Sequence, residues 1–166
     1  NNTLAGDIPA LNIIYGDLVA AGLDLWPADG KLDQGDLLRL TARVTNASTT
    51  PVVKPFTVHV YVDGQYVGGQ KFDSIEAGGQ RNITISTAIT GGNHDFRLVV
   101  DESAAIPEEN EGNNVLSMTG VPIVIRTPDL IVNKINWTPA EVKYGQSAQI
   151  GVQIANVGTG RTTQAF

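Results

Sequence analysis

An all-β antiparallel sandwich is the fold that this 166-residue sequence predicts. Three observations predict it. Apolar and polar residues alternate in short runs, which places every second side chain on a buried face. Turn residues break these runs about every 8–12 residues, the spacing of short strands in a sandwich. No stretch holds a helical period for long: the helix-like patches between Asn2 and Ala21 are punctuated by Gly6, Pro9 and Gly16, with Gly22 just beyond.

Taken in order, "LLRLTARVTN" sets Leu38, Leu40, Ala42 and Val44 on one face and Arg39, Thr41, Arg43 and Thr45 on the other. In "PFTVHVYVDG", Phe56, Val58, Val60 and Val62 alternate with Thr57, His59 and Tyr61, and Asp63-Gly64 supplies a tight hairpin turn. "RNITISTAI" puts Ile83, Ile85, Thr87 and Ile89 on one face, and "HDFRLVVD" does the same for Phe96, Leu98 and Val100. Leu40, Val44, Val58, Val60, Ile85, Leu98 and Val100 are therefore expected in one core.

Composition narrows the function classes. The formal charge is -6 with no basic cluster, which argues against nucleic acid and anionic membrane as partners. No window is long and apolar enough to span a bilayer as a helix. No basic segment followed by an apolar run marks a signal peptide, so an export signal is expected outside this sequence. With no cysteine, disulfide frameworks, thiolate metal sites and cysteine nucleophiles are excluded. The catalytic signatures G-x-S-x-G and H-E-x-x-H and a Gly-rich phosphate loop are missing. His59 has no carboxylate near it in sequence, so a non-enzyme is expected.

An internal repeat organises the chain. "DLVAAGLDLWPAD" from Asp17 returns as "DLIVNKINWTPAE" from Asp129, 112 residues on. After a loop shortened by two, Gly35 matches Gly145, Val44 matches Ile154, Asn46 matches Asn156 and Phe56 matches Phe166, each 110 apart. "NNTL" at Asn1 likewise matches "NNVL" at Asn113. The expected organisation is the tail of one repeat over 1–16, a complete sandwich over 17–128, and the opening part of a further repeat over 129–166.

The run from "DL…WPAD" through "GDLLRLTARVTNAS", "PFTVHVYVDGQYVGG" and "IEAGGQRNITIS" to "DESAAIPEENEGNNV" resembles the cell-adhesion-related domain found in bacteria, CARDB, which also occurs in archaea. Its most specific parts are "YVDG", "AGGQ" and the acidic "NN" ending. The resemblance implies a seven-stranded immunoglobulin- or fibronectin-III-like sandwich within large exported multi-repeat surface proteins. The expected role is a non-catalytic structural or adhesive module of a bacterial or archaeal surface protein or filament, partnered by neighbouring repeats or identical subunits. The alternative is a ligand-binding accessory module of a secreted protein, for calcium or carbohydrate.

Candidate sites follow. "DESAAIPEENEGNN" gathers oxygen donors around Gly112, and calcium takes six to eight oxygens. Asp101, Glu108, Glu111 and Asn113 are the candidate calcium ligands; the competing reading is a strand connection in which Ile106 plugs the core and the asparagines satisfy backbone groups. Asp29, Asp33 and Asp36 form a second acidic loop, expected to be solvated surface because the matching loop of the next repeat keeps only Glu141. Tyr61, Tyr66 and Trp26 could make a sugar platform or serve packing. Asn1, Asn46, Asn82 and Asn136 head N-x-S/T sequons, candidate glycosylation sites on an exported chain.

Overall fold

The computed structural model describes residues 13–162. They hold strands β1 (Leu18–Trp26), β2 (Lys31–Asp33), β3 (Leu38–Asn46), β4 (Phe56–Val62), β5 (Gln65–Phe72), β6 (Gln80–Thr87), β7 (Gly92–Val100), β8 (Val115–Arg126), β9 (Leu130–Thr138) and β10 (Gln149–Asn156), and no helix among the described residues. One sheet has the order β1-β3-β6, a second β2-β8-β7-β4-β5, and β9 pairs antiparallel with β10. The stretch from β1 to β8 thus carries eight strands rather than the implied seven, the extra one being the three-residue β2.

Two compact units are resolved. The first takes in the described chain up to Leu23, Thr41–Ile85 and Asp95–Met118. Its core joins Leu18, Val44, Val58, Val60, Phe96, Leu98 and Val100 with Phe56, Ile75 and Ile106, all buried. Each such side chain contributes about 1.5–3 kcal/mol when taken out of water. β4 and β5 form the expected hairpin: Val62 pairs with Gln65 across Asp63 and Gly64, at φ 50° and 77°. β5 lies so close to β4 that a Cβ on Gly69 would meet the Val58 carbonyl oxygen, which reserves that position for glycine.

The second unit takes in Asp24–Leu40, Ser86–His94 and the described chain from Thr119. Leu32, Leu38, Leu40 and Ile123 are buried in it, and β2 pairs parallel with the end of β8, from Lys31↔Val124 to Asp33↔Arg126. The guanidinium of Arg39 lies 5.7 Å over the Trp26 ring, which is otherwise exposed. Six of the seven expected core residues are buried; Ile85 is only half-buried, because it sits on the edge strand β6 two positions before the end.

The loops after β3 and after β10 share a set of hydrogen bonds. Asn46 Oδ1 accepts from the Asp17 N–H at 3.1 Å and Asn156 Oδ1 from the Asp129 N–H at 3.0 Å. Asn46 Nδ2 donates to the Thr50 carbonyl at 2.7 Å and Asn156 Nδ2 to that of Gly160 at 2.8 Å. Ala47 N–H donates to Asp17 O as Val157 N–H does to Asp129 O, at 2.7 and 2.8 Å. Before β3, Asp36 N–H donates to Asp33 O, and Gln146 N–H donates to Lys143 O at the same 3.0 Å.

Candidate functional site

The acidic turn between β7 and β8 is fixed by protein donors. Asp101 takes a positive φ of 46° as the chain leaves β7. Its Oδ2 accepts the Ile106 N–H at 2.7 Å, which draws Ile106 into the core. Glu108 Oε2 accepts the N–H of Leu18 at the start of β1, and Oε1 accepts Asn114 Nδ2 at 2.6 Å. Glu111 Oε1 accepts the N–H of Glu108 at 3.0 Å, and Asn113 Nδ2 donates to Asp17 Oδ1 at 2.8 Å. The "NN" backbone is used as well: Asn113 O accepts from Ala20 N–H and Asn114 O from Val100 N–H. Partial burial pushes the Glu108 carboxyl above the ordinary glutamate range, against the pull of its Leu18 and Asn114 hydrogen bonds, with the Glu111 and Asp101 charges adding to the rise.

For the calcium reading of Asp101, Glu108, Glu111 and Asn113, the oxygens divide into those already held by protein donors and those without one. Among the described residues no three His, Asp or Glu side chains converge on one point. Both Glu108 oxygens are committed to N–H donors, and Asn113 turns its amide nitrogen to Asp17. The buried oxygens without a protein donor are Asp101 Oδ1, Asn113 Oδ1 and Asn114 Oδ1, one carboxylate and two amides. Calcium takes six to eight oxygens, which backbone carbonyls and water help carboxylates and amides to supply. The turn's hydrogen bonds tie the start of β1 to the chain entering β8.

A second cluster lies on β4, β5 and the residue pair after β7. Glu102 Oε2 stands 2.9 Å from His59 Nδ1 and accepts the Tyr61 hydroxyl at 2.7 Å. These two contacts, Tyr61 first, hold the Glu102 carboxyl below its ordinary range, and the same hydrogen bond raises the Tyr61 phenol. Tyr66 packs edge-on to His59 at 5.4 Å, and its ring meets that of Tyr61 at 66°. Rings so tilted do not offer a sugar one flat stacking face; Arg97 lies 5.8 Å over the Tyr61 ring instead.

Residues 17–118 match the CARDB family model. The chain belongs to the CARDB family. The CARDB domain of a Pyrococcus furiosus protein, crystallised in complex with di-metal ions, is similar at 22% identity and TM-score 0.57, covering 69% of this chain and 99% of that one. A domain of a candidate cell-surface protein from Methanosarcina acetivorans is similar at 26% identity and TM-score 0.54, covering 68% and 94%. No curated protein matches the chain. The fold shared with these CARDB domains is the all-β, Ig-like sandwich implied by the resemblance.

Other sequence candidates fare differently within this CARDB chain. Asp33 is not solvated surface: it is buried, with Arg126 and Arg161 at its two oxygens. Asp29 is exposed beside Lys31. Asn46 is buried, with Nδ2 donated to Thr50 O and Glu76 O, so the folded chain leaves no room there for a glycan. Asn82 and Asn136 are exposed, and Asn1 lies outside the described residues. Sequence reasoning missed the Glu102 contact with His59, 43 residues away, since only the pairing of β4 with β7 brings the two together.

Proposed function

We propose that this chain is a non-catalytic structural and adhesive segment of an extracellular surface protein or filament of a bacterium or archaeon, built from tandem CARDB domains. In this reading, 17–128 is one whole domain, 1–16 the tail of a preceding one and 129–166 the start of the next. The observation that carries it is the recurrence of one hydrogen-bonded loop at Asp17–Asn46 and Asp129–Asn156. Two strands of the same pattern, β9 and β10, then follow. The candidate cell-surface relative supports the location. Asn82 and Asn136 are the sequons whose exposure suits a glycan. The calcium alternative draws on the Pyrococcus domain's di-metal complex and on the buried, donor-free oxygens of Asp101 and Asn113, although no three His, Asp or Glu side chains gather among the described residues.

Immunogold labelling of intact cells of the source organism, with antibody raised against 17–128, tests the proposal. Label along surface structures is expected. Label that appears only after permeabilisation would overturn it.

A further inference from the structure

Asp33 ends β2, and its carboxylate is 8% exposed between two guanidinium groups. Arg161 Nε lies 3.1 Å from Oδ2, and Arg126 Nε lies 3.1 Å from Oδ1. Arg161 also forks onto Asp36, with Nη2 2.8 and 2.9 Å from the two carboxylate oxygens. The backbone joins in: Gln34 N–H donates to Arg126 O at 2.9 Å, and Gly160 N–H to Thr127 O at the same distance. Gly160 packs so tightly that an added Cβ would sit 2.5 Å from the Arg126 carbonyl oxygen. Arg126 closes β8, whereas Arg161 belongs to the loop after β10.

We propose that Asp33 and Asp36 form an acidic socket that accepts a following CARDB-type domain through an arginine in its loop after the second strand. The inference rests on the reading that residue 129 opens a second domain, and it adds which partner fits. A carboxylate taken out of water needs its countercharges, and removing one leaves a costly buried charge. The planar guanidinium meets two carboxylates with fixed donors, which a lysine point charge does not reproduce.

The two matching loops show why the pairing is selective. Because the Asn46 and Asn156 loops share their hydrogen bonds, Arg161 occupies the place that Pro51 holds in the 17–128 domain. The turns before β3 and β10 also match, with Gly35 and Gly145 both at positive φ. Lys143 and Gln146 thus stand where the first domain has Asp33 and Asp36. A domain presenting proline at the loop position would leave Asp36 without its arginine. A socket built of lysine and glutamine would repel or ignore an arginine. Each joint therefore carries its own chemistry, and the Asp33–Asp36 joint takes a domain with arginine rather than another copy of the 17–128 domain.

The sequence contains no cysteine, so two can be introduced for spin labels without background. Ala88→Cys and Gln153→Cys place labels at exposed positions of the second unit. In the full 166-residue chain the wild-type socket should give one narrow distance distribution. Arg161→Glu should at least double its width, and Arg161→Pro, the residue of the matching loop, should do the same. Arg161→Gln, which removes charge without repulsion, should broaden it less and guards against misfolding of the stronger variants. Asp36→Arg combined with Arg161→Glu should narrow it again. An unchanged width in Arg161→Glu and Arg161→Pro, or a double variant as broad as Arg161→Glu alone, would overturn the socket. Surface labelling of cells would be unaffected by that result, so the two proposals fail separately.

Discussion

Leu18, Leu23, Leu40 and Val44 on β1 and β3 are at most 5% exposed, whereas Leu130, Ile135, Ile150 and Ile154 at the matching places of β9 and β10 are 41–69% exposed. The sequence pattern is the same in both pairs, and so are the loop hydrogen bonds. What differs is the sheet opposite: β4, β7 and β8 supply the core residues that accompany β1 and β3, and nothing among the described residues does so for β9 and β10. Alternation fixes which face of a hairpin is apolar, while burial depends on a second layer. Local features such as the Asn46 and Asn156 loops form in either setting because their donors and acceptors lie within one loop and one neighbouring strand.

The largest expected effect tests that contrast directly. Leu40→Ala should lower the unfolding free energy by about 2–5 kcal/mol, the usual cost of a core cavity, and Ile150→Ala by no more than about 0.5 kcal/mol. Denaturant titration of both variants checks it. Equal losses would break the comparison by showing that the β9–β10 face is covered in solution.

A smaller difference is expected from the matching asparagines. Asn46 is buried and also bonds Ser48 and Glu76, while Asn156 is exposed. Asn46→Ala strands buried donors and acceptors and should cost about 2 kcal/mol; Asn156→Ala should cost less than about 1 kcal/mol. Thermal melting of the two variants side by side measures the gap.

The smallest effect concerns Glu108, which has no matching group among the described residues after Asp129. Its carboxyl is held above the ordinary range, so the folded chain binds that proton more tightly than the unfolded chain. The associated stability is fully present below the unfolded-state value and is lost as the pH rises through the folded one. Glu108→Gln should flatten the melting temperature across that window, from about pH 4 upward. A wild-type and variant profile of the same slope would remove Glu108 from the account.

Much of the fold was legible because strands announce themselves locally. The runs from Leu37, Pro55, Arg81 and His94 became β3, β4, β6 and β7, and Asp63-Gly64 made its turn. β2 was not legible, since three residues carry no period and its parallel partner β8 lies some 90 positions away. The candidate site was legible as a place but not as a chemistry. Glu108 was singled out as a candidate metal ligand, and its hydrogen-bond partners, Leu18 N–H and Asn114, were not legible. A carboxylate looks the same in sequence whether it will face an ion or an amide. Asp33 shows the same limit from the other side: it looked like a solvated acid because Arg161 lies 128 residues further on.

The direction of the end strands also bears on how such a module responds to a pull. If 17–128 is one domain of a loaded string, as proposed, tension enters near Gly16 and leaves near Arg126. At the exit, β2 and β8 run parallel, with Lys31, Leu32 and Asp33 paired to Val124, Ile125 and Arg126. At the entry, Gly16 forms a parallel bridge with Glu108. Drawing parallel partners apart along their length strains the paired positions together, in shear, whereas an antiparallel hairpin pulled by its ends opens one rung at a time. Resistance to such a load is set by the unfolding rate rather than by equilibrium stability. Under the proposed role, the load on such a domain would fall on its parallel pairs.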